Sequence, residues 1–93
     1  MRAGRDVLRQ IVYNKRMEEE FDREIDLSGL RCPLPVLRVK KALGEMRPGG
    51  VLRAFATDPG AAEDIPAFLK QSGNTLRETA SAPGGRFFII VKR

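Results

Sequence analysis

The chain contains no histidine, one cysteine and no long apolar run. The missing histidine removes Ser-His-Asp and Cys-His catalysis, imidazole acid–base chemistry and nearly all zinc sites. A lone cysteine cannot close an internal disulfide, which fits a reducing compartment. No stretch approaches the ~20 apolar residues needed to span a bilayer, and the basic N-terminus lacks the apolar core of a secretory signal. A cytoplasmic protein is expected, with no membrane span. Its chemistry is left to one thiol, carboxylates, Lys and Arg side chains and backbone amides. No metal site and no cofactor are expected.

What is present suits one small domain. Ninety-three residues with 42% hydrophobic side chains and 6% aromatics build a modest core. The net charge of +5 invites a nucleic-acid reading. Residues 1–16, however, hold Arg2, Arg5, Arg9, Lys15 and Arg16 against Asp6. The remainder then carries 12 basic and 11 acidic residues, a net of +1. A nearly neutral body argues against direct nucleic-acid binding. The basic arm reads as an N-terminal extension over 1–22, disordered or partly helical, ahead of a domain over 23–93. Val7, Leu8, Ile11 and Val12 share one helical face there, but barely two turns do not hold alone in water. Met17 opens an acidic run and is a candidate natural start, which the intact mass of natively expressed chain decides.

Past the arm, the apolar period changes repeatedly. REIDLS (23–28) alternates as a half-buried strand does. From Cys32 to about Met46, Val36, Val39, Leu43 and Met46 form a helical stripe, which Arg47-Pro48-Gly49-Gly50 ends. VLRAFAT (51–57) alternates again, and Asp58-Pro59-Gly60 makes a turn. A second helix is expected with Asp64 as its N-cap, Pro66 in its first turn and Gly73 at C′. TLRETASA and RFFIIVKR then form a hairpin around Pro83-Gly84-Gly85. The order is β-α-β-α-β-β. Strands joined through a helix should be parallel. The prediction is an α+β two-layer sandwich: a four-stranded mixed sheet with two helices on one face. Phe55, Phe68, Phe87 and Phe88 are expected in the core, except that alternation places one of Phe87 and Phe88 on the open face.

The single cysteine sits in GLRCPLPV (29–36). With Cys32 at the N-cap of the first helix, Pro33 is N1 and Pro35 is N3. Prolines there cost no helical hydrogen bonds and their fixed φ of about −65° pre-sets the start. A helix N-terminus stabilises a thiolate and can bring a cysteine from about 8.5 into the range ~3.5–7.5. Arg31 adds a nearby cation. Lys40, eight residues on, lies about 12 Å away at 1.5 Å per residue. Two donors are missing from the first turn, so a modestly lowered thiol pKa is expected. Against this stands a plain alternative: a free cysteine as a small buried hydrophobe.

These residues resemble a known family. The run IDLSGLRCPLPVLRVKKAL resembles the signature of the TusA-like (SirA-like) sulfur carriers, with Asp26, Gly29, Leu30, Cys32, Pro33, Pro35, Val36, Lys40 and Lys41 on the pattern. A second block, DPGAAEDIPAFLKQSG, resembles the family's Asp-Pro…Asp-Ile-Pro segment through Asp58, Pro59, Asp64, Ile65, Pro66 and Gly73. Phe68 stands where many members carry Trp, and Asn74 where His is frequent. The resemblance covers about residues 24–93. It implies the same sandwich and a persulfide on Cys32, received from a cysteine desulfurase or a rhodanese-like donor and relayed to an acceptor protein. The routes it implies are tRNA thiolation, sulfur oxidation and cofactor sulfuration.

Persulfide exchange needs no histidine when thiolate is populated. Without a second cysteine, Cys32 cannot discharge internally and its sulfur must leave to another molecule. Arg31, Pro33 and Pro35 support that site. Arg38, Lys40 and Lys41 are either a docking surface for an acidic partner or the solvated face of an amphipathic helix. Asp58 and Asp64 are expected to cap a turn and a helix. Two other functions stay open: a non-catalytic interaction module with a structural cysteine, and a selenium or thiol-redox role on the same cysteine.

Overall fold

The computed structural model describes residues 21–93, so the basic arm of residues 1–16 and its apolar stripe lie outside the described residues. Six elements follow one another: β1 (Arg23–Leu27), α1 (Leu34–Gly44), β2 (Val51–Ala56), α2 (Ala61–Ser72), β3 (Thr75–Ala82) and β4 (Gly85–Val91). They form one four-stranded sheet of order β1-β2-β4-β3. β1 and β2, joined through α1, are parallel. β4 is antiparallel to both β2 and β3. This is the expected mixed sheet, with strands joined by a helix running parallel and strands joined by a tight turn running antiparallel.

The two helices share one face of the sheet. Val39, Ala42 and Leu43 of α1 and Ala61, Ile65 and Leu69 of α2 pack in one cluster with Leu27, Leu52, Ala54, Ala56, Phe88 and Ile90. Residues paired across strands share a face, so Arg53, Phe55, Phe87 and Ile89 lie on the other side. Phe88 is therefore core at 1% exposure, and Phe68 packs at the core's edge. Phe87 takes the open face as alternation allowed. Phe55 corrects the core expectation: it joins Phe87 there, with ring centroids 4.8 Å apart. On β2 the helix-facing positions include the small Ala54 and Ala56, and the bulky ring points away from the helices.

Both helices start elsewhere than the sequence spacing suggests. α1 begins at Leu34, with Pro33 as its cap residue at φ −100° and ψ 13°, outside helical geometry. The Cys32–Pro33 peptide is cis. Leu34 N–H closes a turn onto the Arg31 carbonyl at 2.8 Å, and Leu37 N–H reaches the Pro33 carbonyl at 3.2 Å. Cys32 thus precedes the cap, and Pro35 occupies the second helical position, where it still costs no helical hydrogen bond. α2 begins at Ala61, capped by Gly60, and not at Asp64. The Asp58–Gly60 turn runs straight into it, because Ala61 N–H bonds to Asp58 and Asp64 N–H to Gly60. Pro66 accordingly sits inside the helix. The carbonyl it cannot serve belongs to Ala62, which is exposed to solvent. Gly73 ends α2 in the left-handed region at φ 81°, as its position in the sequence requires.

Lys92 closes the far end of α1: its Nζ donates to the Leu43 carbonyl at 2.6 Å, placing a cation at the negative end of the helix on a carbonyl that also accepts from the Met46 N–H at 3.1 Å.

Candidate functional site

β1 and β2 are parallel neighbours, with Leu27 opposite Ala56. The loops that leave their carboxyl ends therefore emerge side by side. Side chains of the second loop pin the first. Gly29 N–H donates to Thr57 Oγ1 at 2.8 Å, and Cys32 N–H donates to Asp58 Oδ2 at 3.0 Å. Gly29 itself turns the chain with φ 77°, a conformation that favours glycine. Before it, the Asp26 carboxylate accepts from the Ser28 hydroxyl and from the Ser28 N–H, which holds its carboxyl below the usual carboxylate range.

The Cys32 thiol is exposed and free. Its electrostatics reverse the expectation drawn from a helix N-terminus. Hydrogen bonding to the Asp64 carboxylate pushes the thiol above its ordinary value. Desolvation adds to this, followed by the negative charges of Asp64 and then Asp58. The physical reason is placement. Cys32 lies ahead of the Pro33 cap, off the dipole end of α1, and the first turn of α2 carries carboxylates toward it. Both carboxylates lie close to Gly60, where a Cβ would be in ordinary contact at 3.4 Å from Asp58 Oδ2 and 3.7 Å from Asp64 Oδ2.

Next to the thiol in the chain, α1 presents apolar surface. Leu34 and Leu37 are 45% and 51% exposed, the exposed large hydrophobics among the described residues. Neither belongs to the Val39–Leu43 core stripe, and that was the signal available in the sequence: two leucines off the buried face of an amphipathic helix. Arg31, Pro33, Arg38, Lys40 and Lys41 are exposed, and Pro35 is buried beneath the helix start. Arg38 and Lys41 line a groove with Arg23 and Asp26 along the β1 edge. Lys40 does not join them, being about 200° around the helix from Arg38 at 100° per residue. Among the described residues no group of three or more Cys, His, Asp or Glu side chains is placed to hold a metal ion, and no helix among them is long and apolar enough to cross a membrane.

Comparison with known proteins agrees with this architecture. The sulfurtransferase TusA family model matches residues 23–93. The sulfur carrier protein TusA of Allochromatium vinosum is 51% identical over 74 residues, which cover 80% of this chain and 96% of that protein. A putative sulfur carrier protein of Neisseria meningitidis is 48% identical over 68 residues, 73% of this chain and 90% of that one. The crystal structure of a SirA-like protein from Desulfitobacterium hafniense superposes with a TM-score of 0.65 at 27% identity, covering 75% of this chain and 95% of that one. The likeness runs through both crossovers and the final hairpin and is not confined to the Cys-Pro-Leu-Pro motif, so this chain belongs to the TusA sulfurtransferase family.

Proposed function

We propose that the chain is a sulfur carrier that takes sulfane sulfur onto Cys32 as a persulfide and hands it to an acceptor protein. The observation that carries this is the one free thiol, exposed at the crossing of two pinned loops. In loading, the Cys32 sulfur attacks the outer sulfur of a donor persulfide. The donor's S–S bond breaks, its thiolate leaves with the bonding pair, and Cys32–S–SH forms. In discharge, an acceptor thiolate attacks that outer sulfur and Cys32 leaves as thiolate. Neither step changes the total oxidation level.

Asp64 fits this cycle as the group that holds the resting sulfur as a thiol. Loading requires that proton to leave, so a donor that offsets the Asp58 and Asp64 charges on docking raises the thiolate fraction at that moment. Leu34 and Leu37, flanked by Arg38 and Lys41, form the surface such a protein covers. A cysteine desulfurase or a rhodanese-like protein is the donor class, and the cytoplasm the compartment. Arg31, Pro33 and Pro35 set the course of the chain around the sulfur. Domain boundaries follow: 23–93 is the carrier and 1–22 an extension.

The mass of the chain after incubation with a persulfide donor tests this. The intact chain should gain one sulfur atom and Cys32→Ser none. An equal gain in both, or a gain in neither with any donor, refutes it.

A further inference from the structure

The sheet face turned away from α1 and α2 carries two cross-strand rows that repeat one chemistry. In the first, Glu24 of β1 lies opposite Arg53 of β2, which lies opposite Ile89 of β4. The Arg53 guanidinium is 4.3 Å from the Phe87 ring centroid, and its Nε is 3.3 Å from a Glu24 carboxylate oxygen. An arginine there stands on a ring with a carboxylate at its side. In the next row on this face, Asp26 lies opposite Phe55, which lies opposite Phe87. That row has the carboxylate and the rings, and no arginine.

The second row opens into a groove of about 580 Å³. The Phe55 and Phe87 rings, tilted by 51° with centroids 4.8 Å apart, are its apolar part. Glu24, Asp26 and Ser28 line the β1 side and Pro83 the hairpin side. Among the described residues no cation lines it. Arg53 answers Glu24, but Asp26 has no ion-pair partner among the described residues. Arg23 of the same strand pairs with Glu45 at 2.7 Å. Both hydrogen bonds to Asp26, from the Ser28 hydroxyl and N–H, go to Oδ1, which leaves Oδ2 to accept another donor. Ser28 holds this carboxyl below the usual range, so it is charged at neutral pH.

The groove also lies at the end of the sheet where the thiol loop leaves. Ser28 lines it, and Cys32 follows four residues later, no more than about 14 Å away at about 3.6 Å per residue. One partner surface can cover both.

We propose that this groove takes an arginine side chain of a partner protein, its guanidinium on the Phe55 ring and paired with Asp26, as Arg53 stands on Phe87 beside Glu24. Arginine suits it better than lysine, because a planar guanidinium stacks on a ring and donates to a carboxylate at once. The use of this contact in sulfur transfer rests on the carrier reading above; the binding itself does not.

The test is an NMR titration of the full chain with N-acetylarginine amide, and with N-acetylcitrulline amide, which keeps the shape and loses the charge. The arginine probe should shift the Asp26, Ser28, Phe55 and Phe87 resonances saturably, and the citrulline probe should not. Asp26→Asn and, separately, Phe55→Leu should each weaken binding about two- to fivefold. Thermal unfolding checks that both variants fold, and Phe55→Leu alone decides if Asp26→Asn does not. Cys32→Ser should bind as the unaltered chain does, so a failure of sulfur loading and a failure of arginine binding are told apart. Equal shifts from citrulline, or arginine shifts spread alike over Glu45 and Glu63, would overturn the proposal. So would shifts at Phe55 and Phe87 on diluting the chain alone, which would seat an arginine of a second copy in the groove.

Discussion

The backbone N–H of Cys32 donates to the Asp58 carboxylate at 3.0 Å across 26 residues of chain. That one bond ties the carrier loop to the start of the second crossover. A hydrogen bond to a charged group contributes about 1.5–3 kcal/mol, less at an exposed site such as this one. Asp58→Ala should therefore lower stability by about 1 kcal/mol, and Asp58→Asn, which keeps an acceptor oxygen, should recover most of it. Both substitutions remove a negative charge that raises the thiol, so the two variants are compared with each other: loading should be slower in Asp58→Ala than in Asp58→Asn. Thermal unfolding and loading rates measured side by side decide it, and equal loading rates in the two variants would show that the loop is positioned by other contacts.

Asp64 sets the pH dependence. With the thiol pushed upward, alkylation of Cys32 should inflect above the pH of free cysteine, and Asp64→Asn should bring the inflection down and speed alkylation at neutral pH. The linked effect on stability has a definite sign. The folded chain holds its proton to higher pH than the unfolded chain does. Its contribution is thus full below the unfolded thiol's pKa and is lost as pH rises through the folded one. An inflection at or below that of free cysteine would contradict the carboxylate environment.

Leu37 is half exposed in the first turn of α1, five residues after Cys32. Leu37→Ser should change stability by no more than about 0.5 kcal/mol. Loading from a small persulfide should be unaffected. Loading from a donor protein should weaken by about tenfold, the effect of losing about 1.4 kcal/mol of contact. Equal loss with both donors would place Leu37 in the chemistry and not in docking.

Gly85 lies under the Phe55 ring, where a Cβ would run into Phe55 and the Ala56 carbonyl. Gly85→Ala should cost about 1–3 kcal/mol by overpacking, read as a fall in Tm of about 4–8 °C per kcal/mol. A neutral substitution would mean that the Phe55–Phe87 pair moves freely aside.

The element order was legible because the period is clean in each segment: alternation in 23–28 and 51–57, and a stripe through Val36, Val39 and Leu43. The family signature was legible in the spacing of Cys32, Pro33 and Pro35 and in the second block from Asp58 to Gly73. The thiol's surroundings were not. Asp58 and Asp64 come from the next crossover, and only the parallel pairing of β1 and β2 brings them to Cys32. The helix start was misplaced because proline fits a cap and a first turn equally well, and only the hydrogen bonds from Leu34 and Leu37 separate the two. Phe55 was misassigned because size suggests burial under helices, whereas on β2 the alanines give the helices their close approach.

The most direct measurement follows the sulfur itself. Cys32 is loaded from a persulfide donor carrying radiolabelled sulfur, the chain is separated from the donor, and an acceptor thiol protein is added. Label should be held by the intact chain, be absent from Cys32→Ser, and move to the acceptor as the Cys32 thiol is recovered. Label retained by Cys32→Ser, or label that never leaves the chain in the presence of acceptor thiols, would contradict a carrier built on this cysteine.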